Sequence, residues 1–178
     1  MKKYKLDKVT YLIPENWGEV TVRRFSEMQA QQHTSKVNNE PDILSSLKVV
    51  ASLIGCDYKL LLKLSKVEYG VILSYLSFIS KPPVKVNKKE FVIGNRGFKI
   101  GRDVYRSIDD LTQLTMGQAI DIEMIISDSS EGTFLMNVLP ILIKKEGEEF
   151  SKKLYTDRKE LFADNLMITE VLYTVDFF

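Results

Sequence analysis

Apolar residues recur three or four positions apart through most of this chain, which is the spacing of one face of an α-helix. Six segments carry the pattern, and their apolar positions run over 22–28, 43–54, 60–64, 71–79, 120–125 and 134–142. In the fifth segment, Ile120, Met124 and Ile125 are expected to form the apolar side of the helix. The pattern predicts a mostly helical protein.

Caps and breakers mark where several of these helices begin and end. Ser65–Glu68 and Thr115–Gln118 have the capping-box pattern, in which two side chains satisfy free backbone amides at a helix start. Gly55 is expected to stop the second helix, and Pro82–Pro83 to end the fourth. Pro140 should kink the sixth helix or mark its true start.

Two stretches alternate apolar and polar residues and therefore predict β structure. Residues 9–25 are expected to form a short extended element that turns between Tyr11–Ile13 and Val20–Val22. Residues 84–106 alternate on both sides of Gly94–Gly97, which predicts a β-hairpin with a glycine-bearing turn.

The predicted fold class is α+β. We expect a mostly α-helical single domain over residues 1–178, with a short N-terminal β element and one central β-hairpin at about 84–106. This hairpin is a basic insertion, and residues 166–178 form an apolar C-terminal segment. The polar stretch 31–40 is predicted to be a mobile loop.

Charge is balanced overall but unevenly distributed. The formal net charge is +1, and 28% of the residues are charged, which is ordinary globular composition. Residues 1–80 carry a net charge of +3, residues 81–106 carry +6 and residues 107–178 carry −8. A basic middle and an acidic tail suit head-to-tail association of subunits. The alternative is that both charged faces are simply solvated.

Nothing in the sequence predicts secretion or membrane insertion. The basic N-terminus leads into no apolar stretch of the kind that a signal peptide needs, and no run approaches the roughly 18 apolar residues of a membrane span. Cys56 is the single cysteine, so no disulfide forms within the chain. We expect a protein of the reducing cytosol in which Cys56 is a small buried thiol.

Few residues are available for catalysis or metal binding. His33 is the only histidine, and together with Cys56 it is too little for a zinc site of the usual composition. Asp121 and Glu123 are two positions apart, so they point in different directions on a helix. No phosphate-binding glycine motif is present. We therefore expect no enzyme activity, no catalytic or metal-binding residues, no cofactor and no small-molecule substrate.

The basic hairpin and the aromatic chain end are the two candidate binding features. The hairpin cations could contact nucleic-acid phosphates or a partner protein, or they could protect an exposed sheet edge from aggregation. Phe177 and Phe178 either fold back into the core or anchor in a partner. The candidate hairpin cations are Lys85, Lys88, Lys89, Arg96, Lys99 and Arg102.

The order of these elements resembles small structural and tail-assembly proteins of tailed bacteriophages. The resemblance extends to T4-type baseplate-hub assembly proteins and to small virion proteins of Bacteroides-infecting, crAss-like phages. It is carried by IPENWGEVTVRRFSEMQ, ILSSLKVVASLIGCDYKLLLKLS, LTQLTMGQAIDIEMII, LMNVLPILIKK and the closing aromatic end. The stretch Leu114–Gln118 before an acidic helix is its most recognisable part.

The resemblance implies a virion structural protein, made in the host bacterial cytoplasm and located in the head–tail region. Its expected role is a subunit of a homo-oligomeric ring at the portal, neck or tail, in contact with other phage structural proteins. A tail-assembly chaperone that is absent from the mature particle is the alternative. A DNA-binding accessory protein is the third reading, because the clustered cations of the hairpin could contact phosphate. If the ring of the first reading surrounds the DNA channel, the basic hairpin could line that channel or meet the portal.

Overall fold

A computed structural model of the protein describes residues 1–93, 103–108, 112, 114–130, 132–148 and 151–175. The described part of the chain is 59% helical and holds eight α-helices and two small sheets of two and three strands. The predicted fold class, α+β with mostly helix, is confirmed.

The N-terminal β element is a two-stranded antiparallel hairpin. Strand β1 (Lys2–Leu6) pairs with strand β2 (Val9–Ile13). Asp7 stands in the turn with φ of 55°, a left-handed conformation that the short side chain of aspartate tolerates. The predicted extended element at residues 9–25 is only partly found, because the strand ends at Ile13 and a 3-10 turn and the first helix follow it. The strand pairs with the nearer strand β1, which also alternates and closes through a turn of two residues.

Two helices form the first layer of the core. Helix α1 (Val22–Val37) begins at Thr21, whose side chain accepts a hydrogen bond from the Arg24 amide. It packs against helix α2 (Asp42–Ile54), which ends where Gly55 takes up φ of 76°. The predicted stop at Gly55 is confirmed.

The predicted mobile loop at 31–40 is wrong, because α1 continues to Val37. Its polar residues are fixed by side-chain bonds that sequence periodicity does not reveal. Ser35 is buried and its hydroxyl donates to Glu40 at 2.9 Å, and Glu40 also pairs with Lys48 of α2. His33 lies on the exposed side of α1.

Short helices complete the first half of the chain. Helix α3 (Tyr58–Leu61) is followed by helix α4 (Lys66–Tyr75), and a 3-10 turn spans Ser77–Ser80. Both bonds of the predicted capping box at Ser65 are present. The predicted continuation of α4 to Ile79 is wrong in detail, because Leu76 caps the helix and the last turn is 3-10.

The central sheet has three strands. Strand β3 (Glu90–Ile93) pairs antiparallel with β4 (Asp103–Ser107), and β4 also pairs antiparallel with β5 (Ile143–Lys144). The predicted hairpin at 84–106 is thus shorter than expected, since residues 84–89 form no strand. Instead, the Val86 amide donates to the Thr169 carbonyl at 3.0 Å, which ties this segment to the C-terminal helix.

Four helices form the C-terminal half: α5 (Met116–Asp128), α6 (Phe134–Leu142), α7 (Lys152–Asn165) and α8 (Ile168–Val175). The predicted capping box at Thr115 is confirmed. Pro140 lies inside α6, so the alternative that it marks the start of that helix is wrong. Helix α5 covers a small apolar cluster that is separate from the main core and includes Ile122 and Val138.

Candidate interaction surfaces

Three of the six candidate hairpin cations fall within the described residues. Lys88 forms an ion pair with Glu170 of α8, and its ammonium lies 5.7 Å from the centre of the Phe91 ring. Lys85 and Lys89 are exposed in the segment that precedes β3. Arg96, Lys99 and Arg102 lie outside the described residues, and so do Phe177 and Phe178.

Ion pairs join the basic middle to the C-terminal half and also form within the middle itself. The Arg106 guanidinium donates to Glu90 at 3.0 Å and to Glu146 at 2.8 Å. Lys145 in turn pairs with Asp103 at 2.9 Å. The charge segregation seen in the sequence is therefore satisfied in part within one chain, which weakens its value as a sign of association between chains.

Tyr105 lies at the centre of a buried group that joins the central sheet to α7. Its ring centre is 5.3 Å from the Lys145 ammonium and 5.6 Å from the Arg158 guanidinium carbon, and Phe162 packs edge-on at 5.0 Å. Arg158 is only 5% exposed and pairs with Glu148. Burial raises the pKa of Tyr105. The group is well placed to hold the sheet on the helix.

A groove of about 570 Å³ runs beside Arg24, Glu27 and Cys56. The Arg24 guanidinium donates to the carbonyls of Leu12 and Leu53, so it holds β2 and the end of α2 together. Burial raises the pKa of Glu27, and it raises the pKa of Cys56 to about 11. The Cys56 thiol is therefore protonated at neutral pH and a weak nucleophile.

The described residues include neither a metal-binding cluster nor a membrane-spanning helix. No group of three or more His, Cys, Asp or Glu side chains in the described part of the chain is arranged to hold a metal ion. No described helix combines the length and the apolar character that crossing a membrane requires.

Helix α5 turns a row of large apolar side chains to solvent. Met116, Ile120 and Met124 are 78%, 51% and 58% exposed, and they are spaced four residues apart on one side of the helix. We call this row the α5 ridge. Gln118 and Ile122, on the opposite side, are 6% and 2% exposed. Ile120 and Met124 share one side of the helix, as expected, but this side faces solvent, whereas Ile125 is half-buried.

The surroundings of the α5 ridge are acidic. Asp121, Glu123 and Asp128 belong to α5, and residues 114–130 contain no lysine or arginine. Glu123 and Asp128 are exposed. The ridge therefore combines apolar side chains with negative charge. Sequence periodicity alone did not show whether this apolar row faces the core or the solvent.

The outer face of the N-terminal hairpin has the opposite charge. Lys3 pairs across the strands with Leu12, and Lys5 with Thr10, and all four residues are exposed. Lys8 is exposed beside the turn. We call Lys3, Lys5, Lys8, Thr10 and Leu12 the hairpin outer face. The alternating pattern predicted β structure only from residue 9 onward, so this face was not among the predicted binding features.

Comparison with protein-family models, with curated proteins and with solved structures finds no match for this chain.

Proposed function

We propose that this chain is a non-enzymatic structural subunit of a tailed-phage particle, which joins an oligomeric ring at the portal, neck or tail through the α5 ridge. The ridge is the single observation that carries the binding role. The phage setting is inferred from the sequence resemblance. Large apolar groups that line up on a surface mark sites of protein interaction far more often than scattered ones do.

The ridge is energetically suited to such a role. Covering side chains as exposed as Met116, Ile120 and Met124 is worth about 1–2 kcal/mol each. Methionine adds adaptability, because its unbranched side chain fits irregular partner surfaces. Three such residues in a row on a helix of 13 residues supply a compact anchor for a neighbouring protein.

The reactive groups of the described residues support a structural rather than a catalytic role. His33 is exposed on α1, Cys56 has a raised pKa, and Arg158 with Glu148 is engaged in packing the sheet on α7. The DNA-binding reading has less support, because Lys88 and Arg106 already pair with carboxylates of the same chain.

The proposal is tested by the mass of the purified protein in solution. We expect light scattering at a protein concentration of about 100 µM to give a multiple of the 20.5 kDa chain. This concentration is in the range of the dissociation constants of modest interfaces. Replacing Met116, Ile120 and Met124 together by serine should reduce that mass to one chain, because the apolar anchor is lost. A wild-type protein that stays monomeric would contradict the proposal.

A matched control separates the ridge from general surface hydrophobicity. Val37, Ile43 and Val67 are 66%, 78% and 78% exposed and lie on three different helices. Their joint replacement by serine should leave the mass unchanged. Mass spectrometry of particles of the encoding phage then distinguishes the ring subunit, which must be present, from the assembly chaperone, which must be missing.

A further inference from the structure

We infer that the occupant of the α5 ridge is a second copy of this chain, which presents its hairpin outer face. This inference depends on the proposed function and names the partner surface. It makes the contact head-to-tail: the ridge of one copy meets the N-terminal hairpin of the next copy.

Charge selects this pairing over two ridges packed face to face. Each ridge is flanked by Glu123 and Asp128 and has no nearby cation within α5, so two ridges in contact would repel each other. The partner surface must be cationic. Lys3, Lys5 and Lys8 provide three exposed cations on one small element, offset locally by Asp7 alone.

These lysines are also available for a partner. Among the described residues, Lys3, Lys5 and Lys8 form no ion pair, whereas Lys88, Arg106 and Lys145 of the central sheet region are already paired. The long aliphatic stems of Lys3 and Lys5, with Leu12 across from Lys3 on the neighbouring strand, can cover apolar side chains while the ammonium groups reach acidic residues. The hairpin outer face therefore suits the ridge in both apolar and charged character.

The two surfaces also match in size and shape. The 13 residues of α5 give a helix about 20 Å long, and the five-residue strands of the hairpin are about 17 Å long. A helix laid on the open face of a sheet is a standard two-layer packing. The inner face of the hairpin already packs on the main core through Leu6 and Ile13, so only the outer face is open.

Head-to-tail contacts have a consequence that face-to-face contacts lack. An open row of copies keeps one unused ridge at one end and one unused hairpin face at the other, so the product is a ring or a filament. Closure of the ring adds one further contact without adding a copy, which stabilises the ring relative to the open row.

A mixing experiment tests the pairing directly. One full-length variant has Lys3, Lys5 and Lys8 replaced by glutamate, and the other has the serine-substituted ridge. Sedimentation velocity should show each variant alone as a monomer. Their equimolar mixture should form a complex of two chains and stop there, because the intact ridge of the first variant binds the intact hairpin face of the second.

Other results overturn the inference without touching the proposed function. If the glutamate variant assembles like the wild type, or if the mixture forms no two-chain complex, the ridge has another partner surface. A monomeric wild type would instead contradict the proposed function itself. A control variant with Lys36, Lys63 and Lys153 replaced by glutamate changes the net charge equally at exposed positions elsewhere and should assemble normally.

A charge exchange distinguishes loss of the contact from loss of folding in the variants. Replacing Glu123 and Asp128 by lysine should abolish assembly of a protein whose hairpin is unchanged. Combining this change with replacement of Lys3, Lys5 and Lys8 by glutamate should restore assembly. Wild-type association should also weaken about tenfold as salt rises from about 0.05 to 0.5 M, because salt screens the exposed charges. Failure of the exchange to restore assembly, or association that is insensitive to salt, would count against the pairing.

Discussion

At the scale of single residues, the ion pairs of this protein differ in kind according to their burial. The Arg158 side chain is 6% exposed and its partner Glu148 is 18% exposed. The Arg106 side chain is 52% exposed, although it contacts two carboxylates. Arg158 therefore depends on its partner to offset desolvation, whereas Arg106 retains contact with water.

This difference predicts unequal costs of substitution. Arg158→Met should lower the free energy of unfolding by about 3–5 kcal/mol, because it leaves the Glu148 carboxylate poorly solvated and removes the cation beside Tyr105. Urea unfolding measures the loss. Arg106→Met is the matched control, with an expected cost of under about 1 kcal/mol. Equal costs for the two variants would show that burial does not govern these pairs.

At the scale of elements, local signals were the most reliable part of the sequence. Both capping boxes and the stop at Gly55 depend on residues within one turn, and the structure confirms them. Strand pairing and helix facing depend on distant parts of the chain. Periodicity could not show that β2 pairs with β1, or that the core lies on the Ile122 side of α5 rather than the Ile120 side.

Helix α4 offers a test of how much a local signal contributes. Its only buried residue is Ile72, so the Ser65 cap is a large part of what fixes its start. Ser65→Ala should cost about 1 kcal/mol, and hydrogen exchange should speed up most in the first turn of α4. The same substitution at Ser74, an exposed serine inside the helix, is the control. An unchanged exchange pattern at the α4 start would contradict the assigned role of the cap.

At the scale of the whole molecule, long-range contacts explain why the candidate sites were only partly predictable. The six hairpin cations were singled out by their density in sequence, yet Lys88 pairs with Glu170, which is 82 positions away. Conversely, Lys3 and Lys5 became a candidate surface only when β1 placed them on one open face. Density of charge in a sequence does not tell which charges a fold leaves for a partner.

The Lys88–Glu170 pair joins the segment before β3 to helix α8, beside the hydrogen bond from the Val86 amide to Thr169. Lys88→Glu should place two carboxylates together and loosen this segment, with a cost of about 1 kcal/mol for a half-exposed pair. Hydrogen exchange at the Val86 amide should report the loosening. The exchanged variant Lys88→Glu with Glu170→Lys should restore protection, and Lys63→Glu, on an exposed site elsewhere, should change nothing.

If Lys88 instead served mainly to bind DNA, Lys88→Glu would leave Val86 protected and reduce DNA binding, and the exchange with Glu170 would not recover that binding. Hydrogen exchange at the Val86 amide therefore distinguishes the structural role of Lys88 from a role in DNA binding.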